Sequence, residues 1–96
     1  MGTGIKVPVL IRPDAYTIFY EGLVMPDGER LTFVHCDISQ WTKSIKKSLK
    51  DDFGSLCWMR GGKPLYCLRH DDKQEKFIRM FGFKFEFEPN VWILET

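Results

Sequence analysis

The sequence predicts an α/β fold: a mixed, mostly antiparallel sheet with a central β-α-β crossover and two helices. Three observations carry this. Tyr16 to Met25 and Arg30 to Ile38 are two strand-like runs joined by Pro26-Asp27-Gly28-Glu29. Between Trp41 and Leu56, apolar residues recur at helical spacing. From Asp71 to Phe87, a helix start, an apolar helical stripe, a glycine stop and an alternating strand follow one another closely.

The elements are justified in chain order. Val7, Val9 and Ile11 alternate, but Pro8 and Pro13 confine residues 1–15 to an edge strand or an extended arm. The turn after Tyr16–Met25 has a mechanism, because proline presets φ and glycine accepts a positive φ. It makes the two runs an antiparallel hairpin. Trp41, Ile45, Leu49, Phe53 and Leu56 place one apolar stripe along a helix. Ser39 or Thr42 caps its start, and Gly54 or Gly61-Gly62 ends it. Leu65 to Arg69 follows as a short strand; a strand–helix–strand succession implies a right-handed crossover that sets it parallel to the Phe33 strand. Asp72 with Glu75 resembles a capping box, Phe77, Ile78 and Phe81 form the stripe, and Gly82 is the left-handed stop. Phe83, Phe85 and Phe87 alternate with charged residues, which predicts a strand with one aromatic face. Pro89-Asn90 turns the chain, and Val91 to Leu94 closes the sheet.

The 96 residues are read as one domain, with a 44% hydrophobic and 15% aromatic content that suffices for a single core and excludes a disordered chain. A net charge of +1, from 14 basic and 13 acidic residues, gives no global case for nucleic acid or an anionic membrane. Cys36, Cys57 and Cys67 are an odd number at irregular spacing. They form neither a disulfide framework nor, with His35 and His70, a zinc-ligand pattern, so no metal is expected and a reducing cytoplasm is the simpler setting. No charged-then-apolar leader and no long apolar run is seen, so neither secretion nor membrane spanning is expected.

The element order, with Gly82-Phe83 between a short helix and a strand, resembles the C-terminal two-thirds of the GNAT acyltransferase superfamily. That family carries a pattern of the form Asn-x-x-Ala-x-x-Leu-Tyr-x-x-x-Gly-Phe. Here Asp71 takes the asparagine place, Gln74 the alanine, Phe77 the leucine and Ile78 the tyrosine, while Gly82 and Phe83 match. Small phage-encoded members are similar further, through Val34-His35-Cys36-Asp37, Trp41 and the run Lys76 to Phe83. The likeness spans Tyr16 to Leu94. It implies an abbreviated GNAT-like domain, in the host cytoplasm if phage-encoded, that binds acetyl-CoA and transfers acetyl to an amine. Its strand edge at Val34, Cys36, Asp37 and Ile38 would bond the pantetheine arm. Ser39, Gln40, Thr42, Lys43 and Lys47, with Asp71, would complete the cofactor site.

Three departures stand beside the likeness. Ser39 to Lys43 contains no glycine to fold backbone amides around a pyrophosphate. Ile78 stands where the thiolate-donating tyrosine is usual. Residues 1–15 leave no room for the first strand and two helices of the acceptor side. Lys43, Lys46, Lys47 and Lys50 lie towards the start of the long helix, and Asp51 and Asp52 further along it, against its dipole. Such a helix is either a solvated lysine face or a place for an anion.

His35 and Glu21 are the candidate general bases, and Tyr66 the candidate replacement for the missing tyrosine. A strand histidine is more often a satisfied structural group, and a strand tyrosine more often anchors a core. Cys36 beside His35 does not make a nucleophile dyad, since neighbours on a strand point to opposite faces. The tryptophans and phenylalanines are read as core and interface rather than base-stacking platforms. The alternative to an acetyltransferase is a catalytically silent GNAT-like scaffold that binds a host or virion protein. A homodimer is also expected, through apolar sheet surface left uncovered.

Overall fold

A computed structural model of the chain describes residues 5–88 and 90–95. It contains six strands and two helices in the order β1 (Val7–Arg12), β2 (Tyr16–Val24), β3 (Arg30–Ile38), α1 (Lys43–Met59), β4 (Leu65–Leu68), α2 (Asp72–Met80), β5 (Lys84–Phe87) and β6 (Val91–Leu94). The fold is therefore α/β. The chain divides between Leu49 and Lys50 into two compact units.

In the first unit β2 and β3 form the expected hairpin, in register from Tyr16 opposite Ile38 to Val24 opposite Arg30. The connecting turn closes by Gly28 N donating to Met25 O at 2.8 Å and Met25 N to Glu29 O at 2.7 Å, with Gly28 at φ +88°. Met25 thus belongs to the turn rather than to the strand. β1 pairs antiparallel with β2 and shifts register between Pro8 and Leu10, an irregularity that fits an edge strand holding a proline. Alternation along the hairpin sorts its side chains. Tyr16, Ile18, Tyr20, Val34, Cys36 and Ile38 share one face; Phe19, Glu21, Leu23, Leu31, Phe33 and His35 share the other. Tyr16, Ile18, Leu31, Phe33, Val34 and Leu49 are buried. The Tyr16 hydroxyl meets Ser48 Oγ of α1 at 2.8 Å.

Helix α1 starts after Thr42, whose Oγ1 accepts from Ile45 N at 3.1 Å; of the two expected caps, Thr42 is the one used. Trp41 precedes the helix and is 47% exposed and Ile45 is half-buried, so the buried stripe begins at Leu49 instead. Gly54 lies inside the helix. The stop is the glycine pair: Gly61 N donates to Trp58 O at 3.0 Å and Gly62 N to Cys57 O at 3.1 Å, with φ of +71° and +81°. These are the two bonds of a Schellman motif, which only a residue tolerant of positive φ completes without strain.

In the second unit β6 pairs antiparallel with both β4 and β5, so the last strand lies between the two earlier ones. All four of its side chains are buried, in keeping with the uninterrupted apolar run Val91–Leu94. Phe53 of α1 meets Phe81 and Phe83 edge-on, at 5.4 and 6.0 Å between ring centres. Cys57 Sγ lies 4.0 Å from Leu94 O. Helix α2 is capped by Asp71 rather than Asp72: its carboxylate accepts from Gln74 N at 2.7 Å, and Gln74 Oε1 accepts from His70 N at 2.6 Å. The helix ends in a second Schellman pair, Gly82 N to Arg79 O and Phe83 N to Ile78 O, with Gly82 at φ +91°. The expected aromatic face of β5 is broken. Its register shifts between Phe85 and Phe87, setting Phe85 opposite Trp92 and Phe87 opposite Val91, which are neighbours on β6 and point to opposite sides. Of the expected Pro89-Asn90 turn, Asn90 donates from Nδ2 to Arg69 O at 2.6 Å, and Pro89 lies outside the described residues.

Candidate functional site

The first unit brings Glu21 and His35 together. Glu21 stands opposite Phe33, and His35 opposite Phe19, so the two side chains lie diagonally on one face of the hairpin. His35 Nε2 and Glu21 Oε1 are 2.8 Å apart. The side chains are 26% and 14% exposed, half-sheltered yet open enough for a ligand to reach the imidazole. An ionised carboxylate only accepts, so Nε2 carries the hydrogen and donates it. In the neutral ring this leaves the Nδ1 lone pair as the basic site. A base whose second nitrogen is held by a carboxylate is the arrangement general-base chemistry needs.

Cys36 follows His35 but shares the opposite face with Ile18 and Val34. Burial, reinforced by the negative charge of Asp37, pushes its thiol up to about 12. It is no nucleophile at neutral pH. Cys67 is likewise pushed up to about 12 by burial, and burial also raises Cys57.

The expected cofactor residues run consecutively from β3 into α1. Val34 is buried, Cys36 and Ile38 are half-buried, and Asp37, Ser39, Gln40, Thr42, Lys43 and Lys47 are exposed. The loop amides have their own acceptor: Ser39 N donates to Ala15 O at 2.7 Å and Gln40 N to the same oxygen at 3.4 Å. These amides are turned to the β1–β2 connection and are not presented to a phosphate. The Thr42 hydroxyl is likewise engaged as the α1 cap. What the helix start presents is charge. The first turn of α1 holds no acidic residue and the last turn no basic one. Lys43, Lys46 and Lys47 therefore add to the positive end of the helix dipole.

Tyr66 and Asp71 belong to the second unit. Tyr66 stands opposite Ile93 in β4 and is buried. The Asp71 carboxylate caps α2. The same unit contains a charged cluster that the sequence reading did not single out. Glu75 accepts from Arg69 Nε at 2.7 Å and Arg79 Nε at 2.9 Å, and Arg69 also pairs with Asp72. The Arg79 hydrogen bond leads the effects that lower the Glu75 pKa. Arg79 also lies 4.9 Å over the Trp92 ring, a cation–π contact. The i,i+4 spacing of Glu75 and Arg79 was the available signal.

Among the described residues no group of three or more His, Cys, Asp or Glu could hold a metal ion. Among the same residues no helix is long and apolar enough to cross a membrane. No protein-family model matches the chain, and neither a curated protein nor a solved structure matches it.

Proposed function

We propose that this chain is an abbreviated GNAT-like domain that binds acetyl-CoA and transfers its acetyl group to an amine. The observation that carries the reading is the Glu21–His35 pair, whose histidine lies within the Val34–Ile38 segment where the resemblance locates the pantetheine arm. The order β2-β3-α1-β4-α2-β5-β6, with Gly82 at the helix-to-strand corner, supports it independently.

The fit to a CoA ligand is selective. Loop amides at Ser39 and Gln40 bond Ala15 O, so phosphate recognition falls to the Lys43 and Lys47 ammonium groups and the head of α1. Acetyl-CoA supplies an activated thioester. His35 would take the proton of the incoming amine at Nδ1, and Glu21 would hold the ring in the required tautomer while stabilising the imidazolium that forms. A thermal-shift panel with CoA, acetyl-CoA and longer acyl-CoAs tests the reading, because a ligand that binds only the folded state raises stability by mass action. Stabilisation by acetyl-CoA that Lys43→Glu with Lys47→Glu removes is the expected outcome; no stabilisation by any acyl-CoA rejects it.

A second reading, a silent scaffold that binds a protein partner, is favoured by one observation. Trp58 and Met59 end α1 at 78% and 72% exposure, and Trp, Met and Arg are enriched at protein interfaces. It requires one stoichiometric partner whose binding is lost on Trp58→Ala. It also requires that no acetyl transfer be detected.

A further inference from the structure

The face of β2 and β3 that holds Glu21 and His35 opens towards one end. Along β3 its residues are Leu31, Phe33, His35 and Asp37; the first two are buried, His35 is half-buried and Asp37 is exposed. Solvent therefore reaches the imidazole from the Asp37 end. Across the ladder Phe19 stands opposite His35 and Thr17 opposite Asp37, both half-buried.

Charge on the three strands of the first unit is sorted by face. Glu21 and Asp37 share the face of His35, and no lysine or arginine of β1, β2 or β3 joins them. Arg12, opposite Tyr16, and Arg30, opposite Val24, lie on the other face. The remaining charges stand outside these strands: Lys6 before β1, Asp14 in the β1–β2 turn, and Asp27 and Glu29 in the β2–β3 turn beyond Leu31. A cation is thus favoured on the route to His35. Glu21 is already bonded to the imidazole, which leaves Asp37 to receive it. Residues two apart on a strand are separated by roughly 7 Å, about the span of a four-carbon chain between two nitrogens.

We propose that the acceptor is an aliphatic diamine or longer polyamine, its far ammonium held by Asp37 while its near nitrogen reaches His35. This rests on the acetyl-transfer reading and names its substrate class. The near nitrogen enters uncharged, and its lone pair forms the C–N bond to the thioester carbonyl. The C–S bond breaks and its electron pair leaves with sulfur. The proton shed by nitrogen passes through His35 Nδ1 to the thiolate, so the products are an amide and the CoA thiol. Asp37 keeps its charge throughout and acts on specificity alone.

Release of CoA thiol from acetyl-CoA, measured with diaminobutane and with aminobutanol, tests this. In aminobutanol a hydroxyl replaces the far ammonium at equal length. Diaminobutane is expected to show a kcat/KM about fivefold higher, as an exposed ion pair allows, and high salt should narrow the gap. Asp37→Asn removes most of the preference and Asp37→Glu keeps it, with circular dichroism confirming that both variants fold. Equal kcat/KM for the two amines in the wild type, or a preference that survives Asp37→Asn, overturns the acceptor class and leaves acetyl transfer standing. Turnover of neither amine overturns both.

Discussion

His35 and Glu21 lie diagonally across β2 and β3, on the face that also holds Phe33, and meet at 2.8 Å. The contact fixes which imidazole nitrogen is bonded and which is left to act. A histidine with a purely structural role would gain an orienting carboxylate equally well, so the distinction has to come from variants.

His35→Ala is expected to lower acetyl transfer by roughly 10²–10⁴-fold, the usual contribution of a general base. Stabilisation by acetyl-CoA should persist in the same variant. Glu21→Gln should lose less activity, since the amide keeps the side-chain shape but lets the other tautomer form. An amine-acetylation assay run beside thermal unfolding separates the two effects. Loss of folding rather than of turnover would assign the pair a structural role.

Phe53 is 3% exposed and packs edge-on against Phe81 and Phe83. Phe53→Ala should cost about 3–5 kcal/mol through lost burial and the cavity left behind. Equilibrium urea unfolding reads this as a lower midpoint at similar slope.

The two ends of α2 give separable effects. Asp71→Ala removes the acceptor for Gln74 N and should cost about 1 kcal/mol. Gly82→Ala forces a side chain into φ +91° at a cost of about 1–2 kcal/mol. A Cβ there would meet Leu94 Cδ1 at 3.5 Å, an ordinary contact, so the penalty comes from the backbone. The double variant should lose about the sum, because the sites do not touch.

The thiols predict an alkaline limb. Cys36 and Cys67, both pushed up to about 12, keep their protons in the folded chain while the unfolded chain releases them near 9. Between these values the unfolded state binds fewer protons, so stability falls as pH rises from about 9 to 12. Below 9 the two thiols leave stability unchanged. Urea midpoints measured across that window should decline, and less steeply in Cys36→Ser with Cys67→Ser. At pH 8 both thiols should react with a disulfide reagent far more slowly before unfolding than after.

The parts of the fold written in turn chemistry were legible. Pro26 to Gly28 placed the hairpin, Gly61-Gly62 ended α1, and Gly82 ended α2, each because positive φ is open to glycine at little cost. What local pattern misses is competition from distant groups. Trp41 continues the apolar spacing of α1 but lies outside the helix once Thr42 caps it. Asp71, not its neighbour Asp72, holds the α2 cap. The shift in β5 that splits Phe85 from Phe87 has no marker in its alternating sequence. For the candidate site, alternation alone put His35 and Cys36 on opposite faces, and Glu21 and His35 could be named as bases. Their mutual contact depends on the hairpin register. The bonds from Ser39 and Gln40 to Ala15 O join segments far apart in sequence, and no motif announced them.

Acetyl-CoA binding at the β3–α1 segment is the proposal on which the acetyl-transfer reading depends. Calorimetric titration of acetyl-CoA into the wild type and into Lys43→Glu with Lys47→Glu tests it most directly. Saturable one-site binding to the wild type that weakens with salt is expected, as phosphate recognition by lysines requires, with at least tenfold weaker binding to the variant. No heat of binding at any salt concentration, together with no thermal stabilisation, would contradict it. Equal affinity in both proteins would remove the helix start from the site.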